Sequence, residues 1–171
     1  LAQAFMRRGV GHGTRVAILM RNCHRFVEVL FALSKLGAVL VPLNWRLAAS
    51  ELLYVIRDSD STVLIHGNDF EENVRDLRAD ISSHLAVVDL ASLEREASEG
   101  STDSGGFLTD VGDNDIAVQM YTAAFGGRPR GAQITHGGYL VEAAGVSLAL
   151  SITDADRTLL TVPLFHTFGL E

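Results

Sequence analysis

The sequence predicts an α/β fold, a mainly parallel sheet flanked by helices. Three observations carry that prediction. Short apolar segments of strand length alternate with segments whose apolar residues recur every three or four positions, the pattern of βαβ crossovers. Hydrophobic residues fill 47% of the 171 positions, enough to build a real core. A single cysteine, Cys23, excludes an internal disulfide framework, so the fold must be held by packing.

The first predicted element is a helix over Leu1–Arg8, followed by a glycine turn at Gly9–Gly13 and a strand over Arg15–Met20. Asn22 is placed to cap a helix over Arg25–Leu36, where Phe26, Val29, Leu30, Leu33 and Leu36 form an apolar stripe. Gly37 ends that helix in the C′ position, and Ala38–Val41 reads as a buried strand closed by Pro42. Ser50 is the expected N-cap of a helix over Glu51–Arg57, with Leu52, Leu53 and Ile56 on one face. A strand at Thr62–His66, a helix near Phe70–Asp80 and a strand at Leu85–Val88 repeat the alternation.

Residues Glu94–Asp113 interrupt it. They are acidic and rich in serine and glycine, and predict a flexible surface connection. Beyond it come a strand at Asp115–Tyr121, a glycine-rich loop and short apolar run over Tyr121–His136, a helix over Gly138–Leu150 and a last strand over Arg157–Val162. The chain thus divides into a βα region (1–93), the connection (94–113) and a loop-bearing region (114–171).

Composition removes several function classes. A formal charge of −7 argues against a nucleic-acid partner, which usually needs a basic face. No apolar run approaches the roughly 20 residues that span a bilayer, and the opening LAQAFMRRG is not a signal peptide. One cysteine suits a reducing compartment, so a cytoplasmic location is expected, and Cys23 itself reads as a partly buried small apolar residue. His12, His24, His66 and His84 are scattered without ligand spacing, so no metal site is predicted. The start without methionine and the end within LFHTFGLE read as a piece of a longer protein. Cut sheet edges and exposed apolar surface predict that such a piece forms a homodimer.

The chemistry concentrates in Tyr121–His136, YTAAFGGRPRGAQITH. Glycines there can present backbone N–H groups to a phosphate, and Arg128 and Arg130 add positive charge. The residues alone leave two readings open for these arginines, phosphate contact or a solvated turn beside Pro129. Gly126–Gly131 has the spacing of a P-loop, but Ala132 and Gln133 stand where Lys and Ser or Thr are needed, so an ordinary P-loop NTPase is excluded. The Gly9–Gly13 run precedes its strand and is no dinucleotide fingerprint. There is no Gly-x-Ser-x-Gly elbow for an esterase.

The loop resembles the phosphate-binding signature of the adenylate-forming enzymes, Tyr-Thr-Ser-Gly-Thr-Thr-Gly-x-Pro-Lys-Gly with a Thr-His pair after it. It matches at Tyr121, Thr122, Gly127, Pro129, Gly131, Thr135 and His136, with Arg130 in place of Lys. Residues 13–65 are similar to the early helix–strand region of the acyl-CoA synthetases in that family. VPLFHTFGL at 162–170 is similar to their Pro-Leu-Phe-His-x-x-Gly acyl-site motif. The resemblance implies an incomplete N-terminal domain of the acyl-CoA synthetase-like fold. It implies a parent that adenylates a carboxylic acid with ATP and Mg²⁺ and passes the acyl group to coenzyme A. Thr122, Gly126, Gly127, Arg130 and Gly131 are then the phosphate contacts, and Phe165 and His166 line the acyl pocket, with Phe168 beside them. His166 can equally be a satisfied core histidine, His136 a helix-start residue, and Trp45 and Arg46 packing in the VPLNWRL turn.

Against the family pattern, Ala123, Ala124, Phe125 and Gly126 replace Ser, Gly, Thr and Thr, which removes three hydroxyl donors and adds bulk. The family's adenine, ribose and magnesium contacts and its catalytic lysine lie downstream of these motifs, so no catalytic residue is assigned here and the piece alone is expected to be inactive. Two alternatives follow: a non-catalytic homologue that binds acyl ligands or a protein partner, and an adenylating enzyme that delivers to a carrier-protein thiol.

Overall fold

The structure is a computed structural model that describes residues 1–77, 80–81, 84–99, 110–122 and 127–170. Its six strands are β1 (Arg15–Leu19), β2 (Val39–Pro42), β3 (Val63–His66), β4 (Ala86–Asp89), β5 (Ile116–Tyr121) and β6 (Gly131–Thr135). They form one sheet in the order β4-β3-β1-β2-β5-β6, parallel throughout except for the antiparallel β5–β6 pair. Val16 of β1 lies between Leu40 and Val63 and fixes the central register. The apolar runs of these central strands are the mark of a sheet covered on both faces.

Alternating side chains feed two cores. Val16, Ile18, Leu40, Ile65 and Val118 pack with α1 (Ala2–Arg7), α2 (His24–Ser34) and α5 (Leu90–Glu99) through Phe5, Phe26, Leu33 and Leu93. Ala17, Leu19, Val41 and Leu64 face α3 (Ala49–Asp58) and α4 (Glu71–Leu77) through Leu52, Ile56, Val74 and Leu77. The predicted apolar stripe of α2 is therefore core. Gly37, at φ +63°, ends α2 as expected: its own N–H reaches the Ser34 carbonyl at 3.2 Å and the Ala38 N–H reaches the Leu33 carbonyl at 3.0 Å.

Several sequence expectations need correction. Neither predicted cap caps. Cys23 holds the N-cap position of α2 and is exposed, not partly buried. Ala48 holds that of α3, where the Glu51 carboxylate accepts from the Ala48 N–H at 2.9 Å. The predicted connection begins late, because residues 94–99 complete α5; residues 100–109 lie outside the described ones. The apolar run after the loop is an edge strand, β6, and α6 (His136–Ala149) starts two residues early because Thr135 Oγ1 accepts from the Gly138 N–H at 3.1 Å. The strand expected over Arg157–Val162 does not form, since β6 already occupies the place beside β5 and Leu159 is 86% exposed. No residue of α6 is buried. Among the described residues no helix is long and apolar enough to cross a membrane.

Candidate phosphate loop and acyl-side segment

Because β1, β2, β3 and β5 run parallel, the segments that leave their C-terminal ends share one edge of the sheet. From β2 the chain crosses back to β3, on the far side of β1, whereas β5 continues outward to β6. The connections leaving β2 and β5 therefore run to opposite sides of the sheet, the arrangement at which open α/β sheets form their ligand crevice. The loop 122–130 leaves β5 at that point.

The loop is the turn of the β5–β6 hairpin, with Tyr121 paired to Gly131 at its base. Its neck is closed twice: the Thr122 N–H donates to the Arg130 carbonyl at 3.0 Å, and the Arg130 N–H donates to Thr122 Oγ1 at 3.2 Å. Oγ1 accepts in this bond, which does not use the hydroxyl's own proton. Thr122, Gly127 and Arg130 are all exposed. Arg128 lies over the Tyr54 ring at 5.5 Å, so this guanidinium is stacked on α3 and not simply solvated. Gly126, with Ala123, Ala124 and Phe125, lies outside the described residues.

Gly131 has a packing reason to be glycine. A Cβ there would stand 2.6 Å from Gln119 Nε2 and 3.1 Å from Tyr121 Cζ. Gln119 and Tyr121 share one face of β5, and Gln119 Nε2 donates to Tyr121 Oη at 3.0 Å while its Oε1 accepts from Arg15 Nε at 3.3 Å. Tyr121 Oη in turn donates to Asp58 Oδ2 at 2.7 Å. Burial first, and the hydrogen bond to Asp58 second, push the Tyr121 phenol well above its ordinary range, so it remains a donor. Burial and Asp58 raise Tyr54 in the same way. His136, at the start of α6, donates its N–H to the Asp115 carbonyl at 2.9 Å, and its Nε2 is buried with no hydrogen-bond partner among the described residues.

The acyl-side segment reaches the same edge through Asn22, just beyond β1. Its Nδ2 donates to the Val162 carbonyl at 2.7 Å and its Oδ1 accepts from the Leu164 N–H at 2.9 Å. This explains why Asn22 does not cap α2: its amide is committed to chain 140 residues away. Phe165 then meets Trp45, beyond β2, edge-on at 6.2 Å. Arg21 and Arg46 stack on Trp45 at 4.7 and 4.9 Å, so the VPLNWRL turn is packed as expected. His166 is exposed beside Thr167, with Nδ1 3.5 Å from Thr167 Oγ1, and is not a core histidine. The side chain of Phe168 lies outside the described ones.

The sheet edge therefore gathers the loop neck, Trp45, Phe165 and His166. Sequence reasoning missed Asn22, whose partners are remote, and Asp58. A signal for Asp58 existed: a carboxylate in the last turn of a helix opposes the macrodipole.

An open, mainly parallel sheet with an arginine-bearing hairpin loop at its C-terminal edge defines the chain as a doubly covered α/β protein. The chain belongs to the AMP-binding enzyme family, which it matches over residues 1–171. It is 35% identical over 170 residues to a feruloyl-CoA synthase of an Amycolatopsis species, covering 99% of this chain and 33% of that protein. It is 33% identical over 165 residues to the long-chain-fatty-acid–CoA ligase FadD13 of Mycobacterium tuberculosis, covering 95% of this chain and 32% of that protein. The chain thus spans about a third of the length of these relatives. Among solved structures, the inhibitor-bound N-terminal domain of FACL13 from M. tuberculosis superposes with a TM-score of 0.85 at 33% identity, over 99% of this chain and 43% of that one. The o-succinylbenzoate coenzyme A synthetase of Bacillus subtilis, in complex with ATP and magnesium ion, gives 0.81 at 31% identity, with the same coverage of each chain.

Proposed function

We propose that this chain is the phosphate-loop-bearing part of an ATP-dependent carboxylate–CoA ligase acting on a fatty or related acid in the cytoplasm. In that reaction a carboxylate oxygen attacks the α-phosphate of ATP and expels pyrophosphate, and the thiol of coenzyme A then displaces AMP from the acyl adenylate. The observation that carries the reading is the hairpin neck, where Thr122 Oγ1 is oriented by the Arg130 N–H beside two cationic side chains. In a chain of formal charge −7, that local positive charge favours an anion at the mouth of the loop. Thr122, Gly127, Arg130 and Gly131, with Gly126, would hold the polyphosphate, and Phe165 and His166 would face the acyl group. Mg²⁺ would neutralise the phosphates when bound. The share of the work done by these residues is electrostatic stabilisation of the leaving pyrophosphate.

Isothermal titration of the full-length protein that carries this chain with MgATP tests the reading. Millimolar or tighter binding supports it, and no binding overturns it. The replaced residues Ala123–Gly126 favour a second reading, a homologue that keeps the scaffold without catalysis. Under that reading Ala123→Ser with Phe125→Thr creates MgATP binding that the unaltered chain lacks. Each restored hydroxyl is worth about 1.5–3 kcal/mol if it reaches a charged oxygen.

The partner of the isolated chain is proposed to be a second copy. Leu140, Val141 and Leu148 on α6 are 66, 75 and 82% exposed, and a helix apolar all round is built to be covered. Sedimentation should give a dimer that Leu148→Glu dissociates, and a monodisperse monomer refutes it.

A further inference from the structure

Both flanks of the loop converge on one carboxylate. Asp58, the last residue of α3, accepts from Tyr121 Oη at 2.7 Å through Oδ2, and its Oδ1 lies 3.1 Å from Tyr54 Oη. Tyr121 immediately precedes the loop. Tyr54 Oη is also 3.2 Å from the carbonyl of Pro129, next to the closing neck, so its single proton serves Asp58 or Pro129. Behind Tyr121 the chain of bonds continues to buried Gln119 and on to Arg15 at the start of β1, so the phenol cannot swing without breaking a satisfied network. On the other side, the bare backbone of Gly131 leaves room for that same ring. Asp58 is a poor residue for its own helix, because a negative charge in the last turn opposes the macrodipole and aspartate is a weak helix former. A residue that breaks a local rule needs a gain elsewhere, and the gain here is two tyrosines held across the mouth of the loop.

We propose that Asp58 is a positioning residue that sets the mouth of the phosphate loop through Tyr121 and Tyr54, and so sets affinity for the polyphosphate of ATP. The proposal rests on reading that loop as a phosphate site. Asp58 touches no ligand and acts through the two phenols.

The test compares Asp58→Ala and Asp58→Asn by amide hydrogen exchange and by MgATP titration of the chain. In Asp58→Ala the amides of Thr122 and Arg130 exchange about tenfold faster, the size expected for losing one hydrogen bond to a charged group. Amides of β1 and β3 are unchanged, and the thermal midpoint holds or rises because alanine favours the helix end. Asp58→Asn keeps most of the protection, since its oxygen can accept from Tyr121 while its amide donates to Tyr54 Oη. MgATP binding weakens about tenfold in the alanine variant and recovers in the asparagine variant. Unchanged loop exchange, an equal rise across β1 and β3, or unaltered MgATP affinity in Asp58→Ala overturns the proposal. Absence of MgATP binding in the unaltered chain sinks the phosphate reading instead, and leaves the exchange result to decide whether Asp58 holds the loop.

Discussion

Replacing Asn22 by Ala removes both hydrogen bonds that fasten residues 162–164 to the end of β1, at 2.7 and 2.9 Å. Each is worth about 0.5–1.5 kcal/mol net, and because Asn22 is exposed each belongs in the lower half of that range, so the two together contribute about 1–2 kcal/mol. For a chain of this size that is about 2–8 °C in the thermal midpoint. The local consequence is sharper. Trp45 is the one tryptophan of the chain and meets Phe165 edge-on at 6.2 Å, so its fluorescence reports whether the segment is docked. Asn22→Ala should shift Trp45 emission to the red and speed exchange of the Leu164 amide. Asn22→Asp should fall between, because it still accepts from Leu164 but turns a carboxylate oxygen toward the Val162 carbonyl. Phe165→Leu separates the two readouts, as it moves the emission and leaves the Leu164 amide protected. If Asn22→Ala changes neither emission nor Leu164 exchange, Asn22 does not hold the acyl-side segment at the site.

Gly131→Ala places a Cβ 2.6 Å from Gln119 Nε2 and forces apart the Gln119–Tyr121 pair, for about 1–3 kcal/mol in a denaturation midpoint; an unshifted midpoint contradicts the packing account. Asp89 precedes α5 and accepts from the Ser92 hydroxyl and, at 2.8 Å, from the Ser92 N–H, bonds that hold its carboxyl below the usual aspartate range. Asp89→Ala should cost about 1 kcal/mol at neutral pH. Because the folded pKa is depressed, that difference is complete above the unfolded value near pH 4 and vanishes as pH falls through the lower folded value, so urea unfolding of both proteins across that window should converge on the acid side.

The parallel core was legible because its strands are buried on both faces and its helices carry one apolar stripe. Val39–Pro42 and Val63–His66 are buried at every position, and Leu52, Leu53 and Ile56 mark α3 at helical spacing. The edge was not. Gly131-Ala132-Gln133 has no alternating pattern, and β6 exists because β5 offers it a partner across the loop. The apolar run at 157–162 misled in the opposite direction, since a strand needs an open neighbour and β6 had taken it. Asn22 misled through its chemistry: an Asn before a helix can cap it or bind elsewhere, and only the position of residues 162–164 decides.

The same contrast changes what the loop's family resemblance means. Tyr121, Gly131 and Thr135 match the family pattern, yet each has a structural task here. Tyr121 binds Asp58, Gly131 clears space for Tyr121 and Gln119, and Thr135 caps α6. A hairpin that must hold its shape would need these residues whether or not a phosphate ever entered it. Their presence alone therefore speaks for the fold and does not separate a working ligase from a non-catalytic homologue. The chemical argument narrows to Thr122, whose hydroxyl accepts from the neck and keeps its own proton to donate, to the exposed guanidinium of Arg130, and to the replaced residues 123–126. A loop with its frame kept and its hydroxyls lost is what either a weakened ligase or a non-catalytic homologue would carry. Restoring the hydroxyls at 123 and 125 leaves Tyr121, Gly131 and Thr135 untouched. That pair of substitutions therefore separates the two readings where further resemblance cannot.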